Sequence, residues 1–169
     1  MIAIEPHPAN IARLKRHILL NGFKYVILVE EALSDKESIT DLIVSDQQPV
    51  MHRLDYNNND NKYDDKHSIK VSVTTLDNIA NKYGIDHIDI LMMDIEGYEY
   101  FALLGASNLL NNNKIHKIIM EVHIKYLREM QLELDDITKL LESNGYIMKI
   151  IEHINDSIDR YHILAIKNE

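Results

Sequence analysis

Acidic residues and a histidine follow three apolar runs in this sequence. Glu5 closes the first run, and Asp94 and Glu96 follow the second. The third run ends with Glu121 and His123. Ligands of open parallel sheets bind beyond the carboxyl ends of the strands, so acids that end several strands predict one polar pocket. We predict that Glu5, Asp94, Glu121 and His123 converge there. The alternative is a set of separate, solvated strand ends.

Glu121 and His123 form the most specific pair in this set. They are two positions apart, so both side chains point to the same face of a strand. A carboxylate beside an imidazole can orient the ring and raise its basicity. The alternative is two unrelated polar residues where the strand leaves the sheet. Asp94 and Glu96 precede Gly97, which either lets the backbone approach a ligand closely or simply makes the turn into a helix.

Composition narrows the class of protein. The chain has 169 residues, 46% of them apolar, which predicts a single domain with a substantial core. The formal charge of -9 argues against nucleic acid as a partner, since that affinity rests on Lys and Arg. The absence of cysteine excludes disulfides, thiolate nucleophiles and cysteine zinc sites. No run of ~20 apolar residues and no apolar leader is present, so we expect a cytoplasmic protein without a membrane span.

Apolar runs alternate with amphipathic stretches, which predicts an α/β domain with a mainly parallel sheet. Strands are predicted over "IAIE", "YVILVE", "ITDLIVS", "IKVSVTT", "HIDILMMD" and "KIHKIIMEV". Helices are predicted over "HPANIARLKRHILLNGF", "TLDNIANKYG", "GYEYFALLGASNLL" and "LELDDITKLLESNGY". The second is predicted to be capped by Thr74 or Thr75 and to end at Gly84. The fourth is predicted to have an apolar face made of Leu134, Ile137, Leu140 and Leu141. "IMKIIEHI" and "RYHILAIK" are predicted to close the domain as an antiparallel hairpin. Residues 46–67 are rich in Asn, Asp, Lys and Tyr, which predicts an exposed loop.

Four blocks of the sequence resemble a known family. They are "AIEPHPANIARLKRHILLNG", "EALSD", "VSVTTLDNIANKYGIDHIDILMMDIEGYEYFALLGA" and "IIMEVH". In order and approximate spacing they are similar to the FkbM family of S-adenosylmethionine-dependent methyltransferases, from Ile2 to about His123. The resemblance implies one domain over residues 1–169, with a Rossmann-like class I methyltransferase sheet in the strand order 3-2-1-4-5-7-6. It also implies methylation of a hydroxyl group on a sugar or natural product.

The resemblance implies a role for several individual residues. Glu5 would accept hydrogen bonds from both ribose hydroxyls of S-adenosylmethionine, as the strand-end acid of dinucleotide folds does. Ala32 and Leu33 of the "EALSD" block would offer apolar contact to the adenine, and Asp35 would be an acceptor there. Asp94 would lie near the methionine half of the cofactor and the acceptor, which is expected to be a small molecule or a glycan.

Methyl transfer to a hydroxyl requires alignment of the two reactants and a base. We predict that His123, oriented by Glu121, is this base, and that Asp94 is the second choice. A divalent metal held by Asp94, Glu96 and Glu121 is the alternative that we do not favour. It would take oxygen ligands and make the alcohol more acidic.

The chain departs from the family at its start. Family members have an earlier strand and a glycine-rich cofactor loop before the "AIEPHP" block, and none of the five glycines here belongs to such a loop. We therefore expect the first strand and helix to be missing and the domain to be incomplete at its N-terminus. A truncated chain, which we favour, one half of a split protein, and a relative that has lost catalysis are the three explanations. The alternative function is a non-catalytic binding or assembly module.

The missing strand has a consequence for the sheet. In the family's order it would lie between the strands at Ile2–Glu5 and Ile90–Asp94. Unpaired buried backbone groups are costly, so we predict that these two strands pair directly or receive a strand from another chain. That chain would be a homodimer partner or a missing N-terminal segment. We also predict millimolar affinity or none for S-adenosylmethionine, because the loop that holds its methionine half is absent.

Overall fold

The computed structural model describes residues 1–44, 52–55 and 68–168, which form a mixed α/β structure. Its strands are β1 (Ile2–Ile4), β2 (Ile27–Val29), β3 (Ala32–Leu33), β4 (Ser38–Ile43), β5 (Arg53–Leu54), β6 (Ser68–Thr74), β7 (Ile88–Met93), β8 (Ile115–His123), β9 (Tyr146–Ile154) and β10 (Arg160–Lys167). Its helices are α1 (Pro8–Leu20), α2 (Leu76–Tyr83), α3 (Glu99–Leu104), α4 (Ser107–Asn111), α5 (Ile124–Glu129) and α6 (Leu134–Ser143). Most of the loop predicted over residues 46–67 lies outside the described residues.

The strands form three hydrogen-bonded groups. β1 pairs with β2, a second sheet has the order β7-β8-β10-β9, and a third has the order β3-β6-β4-β5. The predicted α/β class and the antiparallel β9–β10 hairpin are confirmed. The parallel pairs β1–β2 and β7–β8 agree with the predicted sheet, and β10 is its one antiparallel strand. The prediction fails for the third group, where β4 is antiparallel to both β5 and β6. The β9–β10 pair is antiparallel because only residues 155–159 join the two strands, whereas a parallel return needs a crossover of about a dozen residues or more.

The central strand β8 determines where the main core lies. Ile118, Met120 and Val122 alternate along it, and all three are buried on the same face. Ile137 and Leu141 of α6 lie on the helix face predicted to be apolar, and both belong to the same core. β8 has β7 on one side and β10 on the other, so its carboxyl end is held firmly between neighbours.

The single helix predicted over "GYEYFALLGASNLL" is two short helices, α3 and α4. The interruption at Gly105 follows from contact with the start of α2. The backbone N–H of Asp77 donates to the Gly105 carbonyl at 3.0 Å. The Asp77 carboxylate then accepts from the N–H groups of Asn108 and Leu109 at 2.8 and 3.0 Å, which caps α4. Thr75 caps α2 as its sequence suggested, accepting from Asn78.

The strands β1 and β7 do not pair with each other. Within the described residues, each has a hydrogen-bonded neighbour on one side only, so the prediction of direct pairing is wrong. A cavity of about 890 Å³ is lined by both strands. The open edge of β7 is not buried: Ile90 and Met92 are 57% and 77% exposed, so water can satisfy its backbone groups. None of the helices in the described ranges has the length and apolar character needed to cross a membrane.

Candidate functional site

The ends of β7 and β8 bring four of the predicted residues together. His123, the last residue of β8, is 2% exposed. Its Nε2 lies 3.4 Å from Glu96 Oε2, 3.4 Å from Glu121 Oε1 and 3.9 Å from Asp94 Oδ1. The imidazole is therefore surrounded by three carboxylates from two neighbouring parallel strands, as expected for strand ends that share one edge.

Glu99 is a member of this cluster that sequence reasoning missed. Its side chain is fully buried, and Oε1 lies 3.3 Å from His123 Nδ1. The same oxygen accepts a hydrogen bond from the Gly97 N–H at 3.0 Å. Glu99 thus contacts Nδ1 of the ring, whereas Glu121, which was predicted to orient the ring, lies nearest to Nε2. A signal was present, because Glu99 shares helical spacing with the buried Ala102 and Leu103.

The turn between β7 and α3 aims these carboxylates at His123. Glu96 and Gly97 both have positive φ, of 54° and 100°. A Cβ at Gly97 would overlap the Tyr126 side chain, so this position needs glycine for space as well as conformation. The turn directs Glu96 Oε2 into a buried position where it has no hydrogen-bond partner among the described residues.

Glu121 has its own cationic partners on β10. Arg160 Nη1 donates to Oε1 at 2.8 Å, and His162 Nε2 lies 2.8 Å from Oε2. His162 is directly opposite Glu121 in the antiparallel register, which places the two side chains on the same face. Burial alone would raise the pKa of Glu121, but the hydrogen bonds from His162 and Arg160 outweigh it and lower the pKa. Glu121 is therefore held in its ionised form, and Arg160 and His162 balance its negative charge.

Asp94, Glu96 and His123 also have shifted pKa values. Burial, reinforced by the negative charge of Glu121, raises the pKa of Asp94. Burial also raises the pKa of Glu96, with the charge of Asp94 adding to it. For His123 burial favours the neutral ring, but the hydrogen bond and charge of Glu99 outweigh it and raise the pKa. The carboxylates around His123 therefore stabilise the protonated form of its ring.

The residues predicted to contact the cofactor lie around the cavity between β1 and β7. Glu5, Ala32, Leu33 and Asp94 line it, whereas Asp35 is exposed and does not belong to the lining. Its volume falls in the range of about 300–1,000 Å³ that is typical of small-molecule sites. The structure thus brings Glu5 and Asp94 to one cavity, with the His123 cluster at the end where Asp94 and Glu96 lie.

The Glu5 carboxylate sits where β1 ends and α1 approaches. Oε1 accepts from the His7 N–H at 2.8 Å, and Oε2 has a long contact of 3.5 Å with Asn10 Nδ2. The first bond fixes the carboxylate against the backbone of the turn. Each carboxylate oxygen has two lone pairs, so Glu5 keeps the capacity to accept hydrogen bonds from a ligand in the cavity.

Comparisons with known proteins identify the family of this chain. The model of the methyltransferase FkbM domain matches residues 1–148. The AMB antimetabolite synthetase AmbE of Pseudomonas aeruginosa strain PAO1 is 28% identical over 93 residues, which is 54% of this chain. The chain covers 4% of the length of that protein. No solved structure matches the chain. The family resemblance seen in the sequence is confirmed, and the chain belongs to the methyltransferase FkbM domain family.

Proposed function

We propose that this domain belongs to an S-adenosylmethionine-dependent enzyme that methylates a hydroxyl group of a sugar or natural product. Family membership suggests methyltransferase activity. The observation that carries the finer proposal is the cavity between β1 and β7. It has a carboxylate, Glu5, at the end of one strand and the acidic His123 cluster at the end of the other.

The cavity suits the adenosyl half of the cofactor. Glu5 can accept hydrogen bonds from two ribose hydroxyls, and Ala32 and Leu33 offer apolar surface to the adenine. The strand order supports a Rossmann-like methyltransferase sheet, because β7-β8-β10-β9 corresponds to positions 4-5-7-6 and β2-β1 to positions 3-2. No glycine lines the cavity among the described residues.

The chemistry requires a proton acceptor at the acceptor hydroxyl. S-adenosylmethionine, when bound, supplies a methyl group on a sulfonium; its S–CH₃ bond breaks as an O–CH₃ bond forms, leaving a neutral thioether. Asp94 is the better base, because its side chain is 57% exposed at the cavity whereas His123 is buried among carboxylates. Asp94 would take the hydroxyl proton, and His123 would position Asp94 and Glu96.

Replacing Glu5 tests the cofactor site. We expect the isolated chain to bind S-adenosylmethionine with millimolar affinity, and Glu5→Gln to weaken binding by about 10-fold or more, because a hydrogen bond to a charged acceptor contributes ~1.5–3 kcal/mol. Saturation-transfer NMR of the adenosyl protons detects binding in this range. Glu37→Gln, at an exposed position, is the control and should leave the signal unchanged. Micromolar binding that survives Glu5→Gln would place the cofactor elsewhere.

The alternative function is a binding or assembly module, which is favoured by the open edges of β1 and β7. In either function a strand from outside residues 1–169 would enter the slot parallel to both edges, as a homodimer partner or an additional segment.

We expect the amides on the open edge of β7 to exchange rapidly with deuterium in the monomer, because only water satisfies them. Light scattering measures the molar mass of the protein and establishes whether it is a monomer under the same conditions. Strong protection of this edge in a monomer would contradict the open slot.

A further inference from the structure

We infer that Asp94, Glu96 and His123 form a binding site for a divalent first-row metal ion, with Glu99 as the residue that positions the imidazole. One ligand atom from each of the three residues lies within 4.8 Å of the others. The inference deepens the proposed function, because the ion would act on the acceptor at the same cavity. The binding of the ion itself can be measured without cofactor or acceptor.

The distances within the cluster suit shared ligation better than direct hydrogen bonding. Ligands bound at ~2.1 Å around one octahedral ion are roughly 3.0 Å apart when adjacent and roughly 4.2 Å apart when opposite. His123 Nε2 lies 3.4 Å from Glu96 Oε2 and 3.9 Å from Asp94 Oδ1, between these values. A charge-assisted hydrogen bond between an imidazolium and a carboxylate is shorter, at ~2.7–2.9 Å.

Two atoms that face each other in the cluster, Glu96 Oε2 and His123 Nε2, lie 3.4 Å apart, beyond the distance of a charge-assisted hydrogen bond. Glu96 Oε2 has no hydrogen-bond partner within the described part of the chain. The His123 ring is 2% exposed, and its hydrogen-bonding contact is made through Nδ1. Buried polar atoms are nearly always satisfied, so a carboxylate oxygen without a hydrogen bond, aimed at an imidazole nitrogen, favours a ligand that binds both atoms.

Glu99 provides an independent observation that favours a metal. It contacts Nδ1 of His123 at 3.3 Å and is itself fixed by the Gly97 N–H at 3.0 Å. Metal-binding histidines characteristically donate their other ring N–H to a carboxylate, which sets the tautomer and the ring orientation. With the proton on Nδ1, the lone pair of Nε2 points at Glu96 and Asp94, as ligation requires.

The ligand set selects the kind of ion. One imidazole nitrogen with carboxylate oxygens suits Mn²⁺ or a similar first-row ion better than Mg²⁺, which prefers oxygen ligands alone. Glu121 is less suited to ligation, since Arg160 and His162 already bind both of its oxygens. Asp94 and Glu96 line the cavity, so the open coordination positions face the space where an acceptor would lie.

A bound ion would complement Asp94 in the proposed reaction. The hydroxyl of the acceptor would occupy an open position on the ion, which lowers its pKa. Asp94 would bind the ion through one oxygen, and its second oxygen would remain free to take the hydroxyl proton. This division of roles accounts for the arrangement of the pair, in which Asp94 is exposed to the cavity and His123 is buried 3.9 Å from it.

Titration of the full chain with Mn²⁺ after treatment with a chelator tests the site, using electron paramagnetic resonance to measure free ion. We expect one ion per chain with micromolar Kd. His123→Asn should abolish binding, and Glu99→Gln should weaken it about 10- to 100-fold, as is usual for the partner of a metal-binding histidine. His87→Asn is the matched control, since His87 lies 3.5 Å from Asp89 in an exposed pair and should have no effect.

A second measurement needs no variant. Mn²⁺ should broaden the NMR signals of His123 in the unmodified protein at substoichiometric concentration, while those of His87 stay sharp. Absence of broadening at His123, or equal loss of binding in His87→Asn, would overturn the inference. Mn²⁺ binding without methyl transfer would leave the metal site intact and count against the proposed function alone.

Discussion

Replacing Glu99 with leucine should destabilise the protein by about 2–4 kcal/mol. The substitution leaves two buried donors, the Gly97 N–H and the His123 ring, without their shared acceptor. Each unsatisfied buried group costs roughly 1–3 kcal/mol. The turn that carries Glu96 would also lose the bond that fixes it to α3. Urea unfolding followed by circular dichroism measures the free energy of unfolding and checks the expected value.

Two companion variants separate the hydrogen bonds from the shape and charge of the side chain. Glu99→Gln keeps a carbonyl oxygen that can accept from one donor, so it should cost only about 1 kcal/mol. Glu142→Leu, at an exposed position of α6, should change stability by less than about 0.5 kcal/mol. If Glu99→Leu were neutral, the desolvation of the buried carboxylate would cancel its hydrogen bonds, and the cluster would contribute nothing to folding.

Replacing Gly105 with alanine should destabilise the protein by about 3 kcal/mol, at the upper end of the usual cost of overpacking. Gly105 has φ of −71°, which any residue can adopt, so the effect is one of space. An added Cβ would overlap the carbonyl oxygen of Ser34 and approach Thr75 Cβ to 3.2 Å. Backbone cannot rotate away as a side chain can, so the segment after β3 must shift. The thermal unfolding midpoint reports this loss.

Gly84→Ala is the matched control for this packing argument. Gly84 ends α2 with φ of 64°, and no atom lies within 4 Å of an added Cβ. Its replacement therefore introduces backbone strain alone, of about 1–2 kcal/mol. A Gly105→Ala variant as stable as Gly84→Ala would show that the contact between Gly105 and Ser34 is loose. Because Ala32 and Leu33 precede Ser34 and line the cavity, a forced shift should also weaken the binding of adenosyl compounds.

Local pattern was sufficient for much of the fold. The apolar runs predicted β7, β8 and the closing hairpin, and the spacing of Ile137 and Leu141 predicted the buried face of α6. The end of α2 followed from Gly84. These predictions succeeded because burial of one face of an element is recorded in the period of its own residues, and because caps and turns act over three or four positions.

The sequence by itself determined which residues stand at the ends of β7 and β8, and hence that Asp94 and His123 share an edge. Only the tertiary structure decided that Glu99, 24 positions before His123, holds its ring, that β10 inserts antiparallel beside β8, and that β1 and β7 leave a cavity between them. The physical reason is that a local pattern specifies which face of an element is buried. Which group meets that face depends on packing between segments far apart in the chain.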